Sequence, residues 1–431
     1  MQQFKKYDKY KDSGFIWADS IPFDWRMAKF GDFADIAEGQ VSPLVEPYLS
    51  MVLIAPNHIE KETGKIIELE TSFDQGAVSG KYFCKKSSVI YSKIRPSLKK
   101  ACIVNIDTLC SADMYPIKVK CHNSFNSYFL YLLISDGYSD YMINRSNRVA
   151  MPKVNREDFS ECLFILPPLP TQIKIAEFLD TRAATIDAEI ELLTTKAAKY
   201  KQLKQSLINQ VVTKGLNPEV EMKDTGIDWI GSIPKNWEVR RLKEVLTLIS
   251  SGIPYFEGKK DYLSTKSIGQ NQIVKIDEEI TFTDRPSRAN MQPLINSSWF
   301  AKMANTNKNY LFTGKAEVKK CILSTGFCGI LPNKEHPQFI NYYLMSDYFI
   351  FQKEMYSYGT TQISINESNI ELIHFVRPPK AEQVQITEYL DTKTGEIDRI
   401  ITAINDKISK LKQYRKVLIN DVVTGRINVE N

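Results

Sequence analysis

The densest chemistry in this chain is basic. Residues 81–100 hold Lys81, Lys85, Lys86, Lys93, Arg95, Lys99 and Lys100 without one carboxylate, and Tyr82, Phe83 and Tyr91 are interleaved among them. Such a segment can neutralise several phosphates, each contact strengthening binding and steepening its salt dependence. Residues 301–320 form a second cluster. There Lys302, Lys308, Lys315, Lys319 and Lys320 face only Glu317, and Asn305, Thr306, Asn307, Asn309 and Tyr310 lie between them. A third pair of stretches is Asn144, Arg145, Ser146, Asn147, Arg148 and Tyr358, Gly359, Thr360, Thr361, Gln362. Arginine can make paired hydrogen bonds to guanine, and asparagine or glutamine to adenine, so both stretches could discriminate bases. The candidate DNA contacts are therefore Lys93, Arg95, Lys99, Lys100, Asn144, Arg145 and Arg148 in the first half. In the second half they are Lys302, Asn305, Asn307, Lys308, Tyr358, Thr360, Thr361 and Gln362.

Bond-making chemistry is poorly represented. Neither G-x-x-x-x-G-K-[ST] nor G-x-G-x-x-G occurs. The methyltransferase tetrapeptides N-P-P-[YF] and D-P-P-[YF] are missing too, because Asn217-Pro218 runs on into Glu219. There is no H-E-x-x-H and no G-x-S-x-G. His58, His122, His336 and His374 have no cysteine or carboxylate at ligand spacing, and the seven cysteines never pair two residues apart. Asp277, Glu278 and Glu279 read as a solvated turn. A reduced, cytoplasmic chain without metal or catalytic site is expected. No apolar run reaches the roughly 18–20 residues of a membrane span, and residues 1–11 are polar and basic, unlike a secretory signal.

The elements that must position these residues repeat. Residues 167–217 (PPLPTQIKIAEFLDT…LINQVVTKGLN) align without a gap on residues 378–428 (PPKAEQVQITEYLDT…LINDVVTGRIN), and about 22 of 51 positions are identical. Upstream of each stands G-x-x-W-x-x-S-I-P-x-x-W, at 14–25 and 226–237. Val154-Asn155 and Ile365-Asn366 precede the two proline pairs at the same offset of 211. The intervening middles, roughly 30–146 and 242–358, have little in common. The order is thus globular segment, helix, globular segment, helix.

Apolar residues in each repeated segment alternate at gaps of four and three. Ile186, Ile190, Leu193 and Leu207 mark one seam; Ile397, Ile401, Ile404 and Leu418 mark the other. Lys204 and Arg415 interrupt the two seams at matching places. Equal length and register favour the helices packing on each other, antiparallel because long globular segments intervene. In the middles, residues 88–94, 102–106, 115–119, 273–276 and 321–323 read as strands, and 125–134 and 338–351 as helices. The fold class is α+β. At 431 residues, 43% hydrophobic and 25% charged, the chain can bury two to four domain cores, and a net charge of +5 is mild.

The G-x-x-W-x-x-S-I-P-x-x-W motifs, the PPLPTQIKIAEFLD and PPKAEQVQITEYLD helix openings and the LINQVVTKGLN and LINDVVTGRIN helix ends resemble the specificity subunit of type I restriction-modification enzymes. The resemblance covers essentially the whole chain. It implies target-recognition domains at 1–166 and 218–377, and helical repeats at 167–217 and 378–431 that pair as an antiparallel coiled coil. It further implies a non-catalytic subunit whose two domains each read one half of an interrupted, asymmetric DNA site. Partners would be two methyltransferase subunits, which bind S-adenosylmethionine and methylate adenine, and motor-nuclease subunits that cut; the chain itself would need no cofactor. Residues 186–211 of one helix span roughly 39 Å, compatible with half-site centres about 34–36 Å, or about 10 base pairs, apart. An orphan or recombination-donor specificity subunit, and a coiled-coil scaffold that never touches DNA, are the alternatives.

Overall fold

The computed structural model describes residues 4–120, 125–145, 152–360 and 363–430. The chain divides into two compact units: Met1–Leu193 with Asp406–Asn431, and Thr194–Asn405.

In the first unit, a four-stranded antiparallel sheet runs in the order Ala34–Ile36, Met114–Val119, Val89–Ser92, Ala101–Ile103. A second sheet runs Gln40–Val41, Lys81–Cys84, Thr108–Cys110, Leu53–Ile54, its last pair parallel. Strand Val89–Ser92 lies between two cores. Val89 and Tyr91 face an aromatic cluster with Phe33, Phe129, Phe159 and Phe164, while Ile90 joins Cys84, Cys102, Cys110 and Met114. Burial on both faces explains why Val89, Ile90 and Tyr91 are apolar in succession rather than alternating with polar residues. The six cysteines among the described residues are all buried free thiols, and burial pushes those of Cys102 and Cys328 up to about 12.

The second unit repeats this plan from unrelated sequence. Its first sheet, Leu246–Ile249, Phe327–Pro332, Ser297–Ala301, Asn309–Phe312, has the same order and antiparallel sense. Its second sheet, Glu278–Ile280, Lys260–Leu263, Cys321–Ser324, Ala289–Met291, again sets a parallel pair beside an antiparallel one. The edge strands differ: Gln40–Val41 and Glu278–Ile280 sit on opposite sides of the shared three.

Two long helices carry the repeats, Leu169–Lys214 and Lys380–Val423. Pro170 falls in the first turn, where a missing N–H costs little. Within the first unit, residues 169–193 pack antiparallel on 406–423, with Lys407 and Glu189 2.7 Å apart. Within the second, residues 194–214 pack in the same sense on 380–405. The basic residues that interrupt the seams explain each other. Lys204 pairs with Asp398 at 2.7 Å and Arg415 with Asp187 at 3.0 Å; both cations and both carboxylates are related by the repeat offset. Ile186, Ile397, Ile404 and Leu418 are buried, whereas Ile190, Leu193, Leu207 and Ile401 are half-buried.

Two expected elements are corrected. The helix expected over 338–351 is two, Pro337–Met345 and Asp347–Met355, because the Ser346 hydroxyl accepts from Phe349 N at 3.3 Å and starts a new helix. Residues 273–276 contribute only an isolated bridge from Ile273 to Ile268, and the strand begins at Glu278. Asp277 is accordingly part of no free turn: its carboxylate accepts from Ser264 N and the Ser267 hydroxyl. Among the described residues no helix is long and apolar enough to cross a membrane, and no cluster of histidine, cysteine and carboxylate could hold a metal.

Candidate nucleic-acid interface

Each globular middle is fastened to a long helix by residues of the repeats. In the first unit the Tyr131 hydroxyl donates to Asp180 at 2.7 Å, and Phe125 N donates to the buried Gln172 side chain at 2.9 Å. In the second unit Tyr342 donates to Asp391 at 2.6 Å, and His336 N to Gln383 at 2.8 Å. The corner between the short helices Asn126–Ile134 and Asp136–Arg145, and its counterpart between Pro337–Met345 and Asp347–Met355, docks in the same way: Gly137 N donates to Asn420 at 3.0 Å, and Asp347 N to Asn209 at 2.8 Å. Ile21, Trp25, Ile233 and Trp237 of the S-I-P-x-x-W motifs are buried where the helices end. Gly425 and Gly215, with φ +75° and +76°, close against Pro22 and Trp237 respectively. Trp237 Nε1 also donates to Glu382 at 2.8 Å.

On these frames stand two hairpin tips. Residues 93–100 join Val89–Ser92 to Ala101–Ile103, and residues 302–308 join Ser297–Ala301 to Asn309–Phe312. Each lies beside the segment that leads into the repeated valine/isoleucine-asparagine pair. Val154 N donates to Lys93 O at 2.9 Å and Ile365 N to Lys302 O at 3.0 Å; Ile94 bridges Lys153, and Met303 bridges Ser364. The fold therefore brings tip and following segment together in both units.

The individual candidates fare differently. Arg95 is exposed, with φ +49° and its N–H donated to Pro152 O at 2.8 Å. Lys93 is half-buried with its ammonium 5.5 Å from the Tyr115 ring centre, and burial together with Lys153 lowers its pKa. Lys99 is buried and bonded to Asp136, and Lys100 Nζ donates to Pro56 O at 2.5 Å, so both ammoniums are engaged inside the protein. Asn144 and Arg145 are exposed at the end of helix Asp136–Arg145, the guanidinium 5.5 Å from the Tyr141 ring centre. In the second unit Asn305 is exposed, while Lys302, Asn307 and Lys308 are half-buried and Lys308 Nζ donates to Thr265 O at 2.6 Å. Tyr358 and Thr360 are exposed on a turn closed by reciprocal backbone bonds between Tyr358 and Ser364. Arg148, Thr361 and Gln362 lie outside the described residues.

Comparison with known proteins decides the family. Residues 22–198 and 234–410 each match the type I restriction modification DNA specificity domain, two copies that together take in most of the chain. The chain belongs to the specificity (S) subunits of type I restriction-modification systems. Over 190 residues it is 36% identical to the EcoDI specificity subunit of Escherichia coli, spanning 44% of this chain but only 41% of that protein. It is 24% identical over its full length to the MjaVIII specificity subunit of Methanocaldococcus jannaschii, covering 99% of that protein. Among solved structures it is similar to a chain from a study of complex assembly and conformational transition of the type I restriction-modification system. There the TM-score is 0.71 at 18% identity, over 94% of this chain and 98% of the other. It is also similar to the HsdS subunit from Thermoanaerobacter tengcongensis, with TM-score 0.52, 18% identity and the same coverage; at such identities the likeness is one of fold.

A specificity subunit is a non-catalytic DNA-specificity component, and this one has two target-recognition domains. Two features of this specificity subunit escaped the sequence reading. Lys153, exposed beside Lys93, adds a cation to the first tip; its signal was its place just ahead of Val154-Asn155. The docking corner had a signal as well, since Ser135-Asp136 and Ser346-Asp347 stand at the repeat offset of 211.

Proposed function

We propose that this specificity subunit reads an interrupted, asymmetric DNA site with its two hairpin tips, one half-site each. The recognition domains are assigned to residues 1–166 and 218–377, and the helical repeats to 167–217 and 378–431. In the first domain Arg95 and Lys93 on the tip and Lys153 on the segment beside it are assigned to the DNA, together with Asn144, Arg145 and Arg148. In the second, Lys302, Asn305, Asn307 and Lys308 are so assigned, with Tyr358, Thr360, Thr361 and Gln362. The observation that carries this reading is the juxtaposition of tip and following segment, formed by the same backbone bonds in two middles of unrelated sequence. Lys99 and Lys100 are left out because Asp136 and Pro56 O already hold them. The long helices set the spacing between half-sites and dock two methyltransferase subunits that bring S-adenosylmethionine and methylate adenine. Motor-nuclease subunits complete the assembly, which works in the cytoplasm.

The test is the adenine methylome of the host, by modification-sensitive sequencing, with the gene present and deleted. Loss of one motif of two short defined elements, centred about 10 base pairs apart, is expected. A lost motif that is continuous or palindromic would overturn the two-tip layout, and an unchanged methylome would overturn directed methylation.

A further inference from the structure

Lys353 lies on helix Asp347–Met355 and is only 2% exposed. Its ammonium donates to Ala301 O, 3.4 Å away, and to Thr306 O. Both hydrogen-bond partners are main-chain carbonyls; neither is a carboxylate. Burying an ammonium is costly unless each of its donors is satisfied, so a lysine here needs a reason. Helix packing does not supply one. At the same place in the first unit stands Met142, fully buried in the apolar core with its sulfur 3.4 Å from Cys162 Sγ. What distinguishes Lys353 is what it ties: Ala301 ends the strand before the second tip, and Thr306 lies near the apex of that tip.

The first unit makes the same connection in the opposite direction. Its lysine is on the tip: Lys99, 8% exposed and held at φ +49°, reaches Asp136 at the start of the second helix of the pair. The Ser139 hydroxyl, one turn on, donates to Pro96 O at 3.3 Å. In each unit, therefore, a buried ammonium joins the hairpin tip to the helix that follows the serine-aspartate corner. The same corner is bonded to a long helix through Asn420 or Asn209.

We propose that these lysines are latches: Lys353 and Lys99 are positioning residues that fix the reading tip of their own recognition domain and so sharpen discrimination at one half-site each. A tip carrying base-reading side chains must be held close to its productive geometry by neighbours that do not themselves touch the ligand. The proposal rests on the tips being the reading surface, and its test separates the two ideas.

Lys353→Met keeps the volume and removes the donors; Lys353→Gln keeps a donor; Lys99→Met breaks the first latch. Each full-length variant, assembled with its methyltransferase subunits, is followed by amide hydrogen exchange at residues 302–308 and 93–100. Methylation is measured on duplexes with single-base changes in either half-site. Lys353→Met should raise exchange at 302–308 and lower discrimination at one half-site about tenfold, the scale of one lost base contact. Reading of the other half-site should be unchanged. Lys353→Gln should recover part of the loss, and Lys99→Met should loosen the other tip and the other half-site. Unchanged exchange at the tips would overturn the latch. Faster exchange with both half-sites read as before would leave the latch in place but overturn its role in recognition, and with it the assignment of the tips as readers. An equal loss at both half-sites would mark a general structural role and overturn the proposal. If Lys353→Met fails to fold, Lys353→Gln and Lys99→Met distinguish the same outcomes.

Discussion

Arg415 and Lys204 occupy the same place in the two copies of the repeat, yet their surroundings predict unequal costs on removal. Lys204 pairs with Asp398, whose side chain is 55% exposed. Such a pair contributes about 1 kcal/mol or less, so Lys204→Ala should be nearly silent. Arg415 has an 8% exposed side chain facing a 14% exposed Asp187. It also donates to Glu62 O at 2.9 Å and Thr63 O at 3.3 Å, tying a loop of the first recognition domain to the long helix. Breaking a buried pair costs about 3–5 kcal/mol. The lower end applies here for two reasons. Arg415 Nε is close to Asp187 without being aligned as a hydrogen bond, and Asp187 keeps a second cation, Lys65, at 2.8 Å. A loss of about 3 kcal/mol would lower the melting temperature of a unit this size by roughly 6–12 °C. Thermal unfolding of Arg415→Ala and Lys204→Ala, with hydrogen exchange to report which unit opens, checks this. If the two variants lie within about 1 kcal/mol of each other, burial does not separate the pairs and the argument fails.

Two further predictions concern backbone and burial. Gly425→Ala should cost well over 1 kcal/mol, because φ is +75° and an added Cβ would collide with the Pro22 ring. Gly395→Ala, in open space inside a long helix, should instead stabilise by about 0.5–1 kcal/mol; paired denaturant curves test the opposite signs. Burial lowers the Lys353 ammonium from 10.5 to about 8, opposed weakly by Glu354. A lysine depressed in the folded state contributes stability that is complete above pH 10.5 and is lost as pH falls through 8. Wild type should therefore gain on Lys353→Met by up to about 3 kcal/mol between pH 7 and 10.5. A stability difference that stays flat over that range would show that Lys353 ionises normally.

What the sequence disclosed is what both copies must do alike. The long helices, their proline starts and the tryptophan motifs were legible because each solves one local problem twice. The matched Lys204 and Arg415 were visible too, although only the structure shows that each answers an aspartate in the other helix. Strand Val89–Ser92 was found as an apolar run, but its two-sided burial, and hence the two-sheet plan, depends on partners far along the chain. Lys99 illustrates the same limit. Within a lysine-rich stretch it is indistinguishable from its neighbours, and only Asp136, 37 residues on, turns it inward. The break at Ser346 was missed because apolar spacing continues through it; capping by a serine hydroxyl is a polar signal that periodicity ignores.

The anchors explain how two unrelated middles can serve one frame. At the helix corner the frame supplies the side chains Asn420 and Asn209, each accepting from a main-chain N–H of the middle, Gly137 or Asp347; in the second unit the Asp347 carboxylate also accepts from Asn209 and Gln205. At the helix opening, likewise, Gln172 and Gln383 accept from the backbone of Phe125 and His336. A main-chain donor is present whatever side chain follows it, save at proline. The fastenings that do ask for particular residues in the middle include the tyrosines donating to Asp180 or Asp391, Lys65 on Asp187, Gln338 on Asp391 and the Asp347 carboxylate, and none of these residues lies on a tip. The tips and their flanking segments are thus free to carry any side chains that a half-site demands, provided that something internal keeps them in place. That requirement is what the two oppositely built lysine contacts meet, each devised from the residues its own middle had to hand.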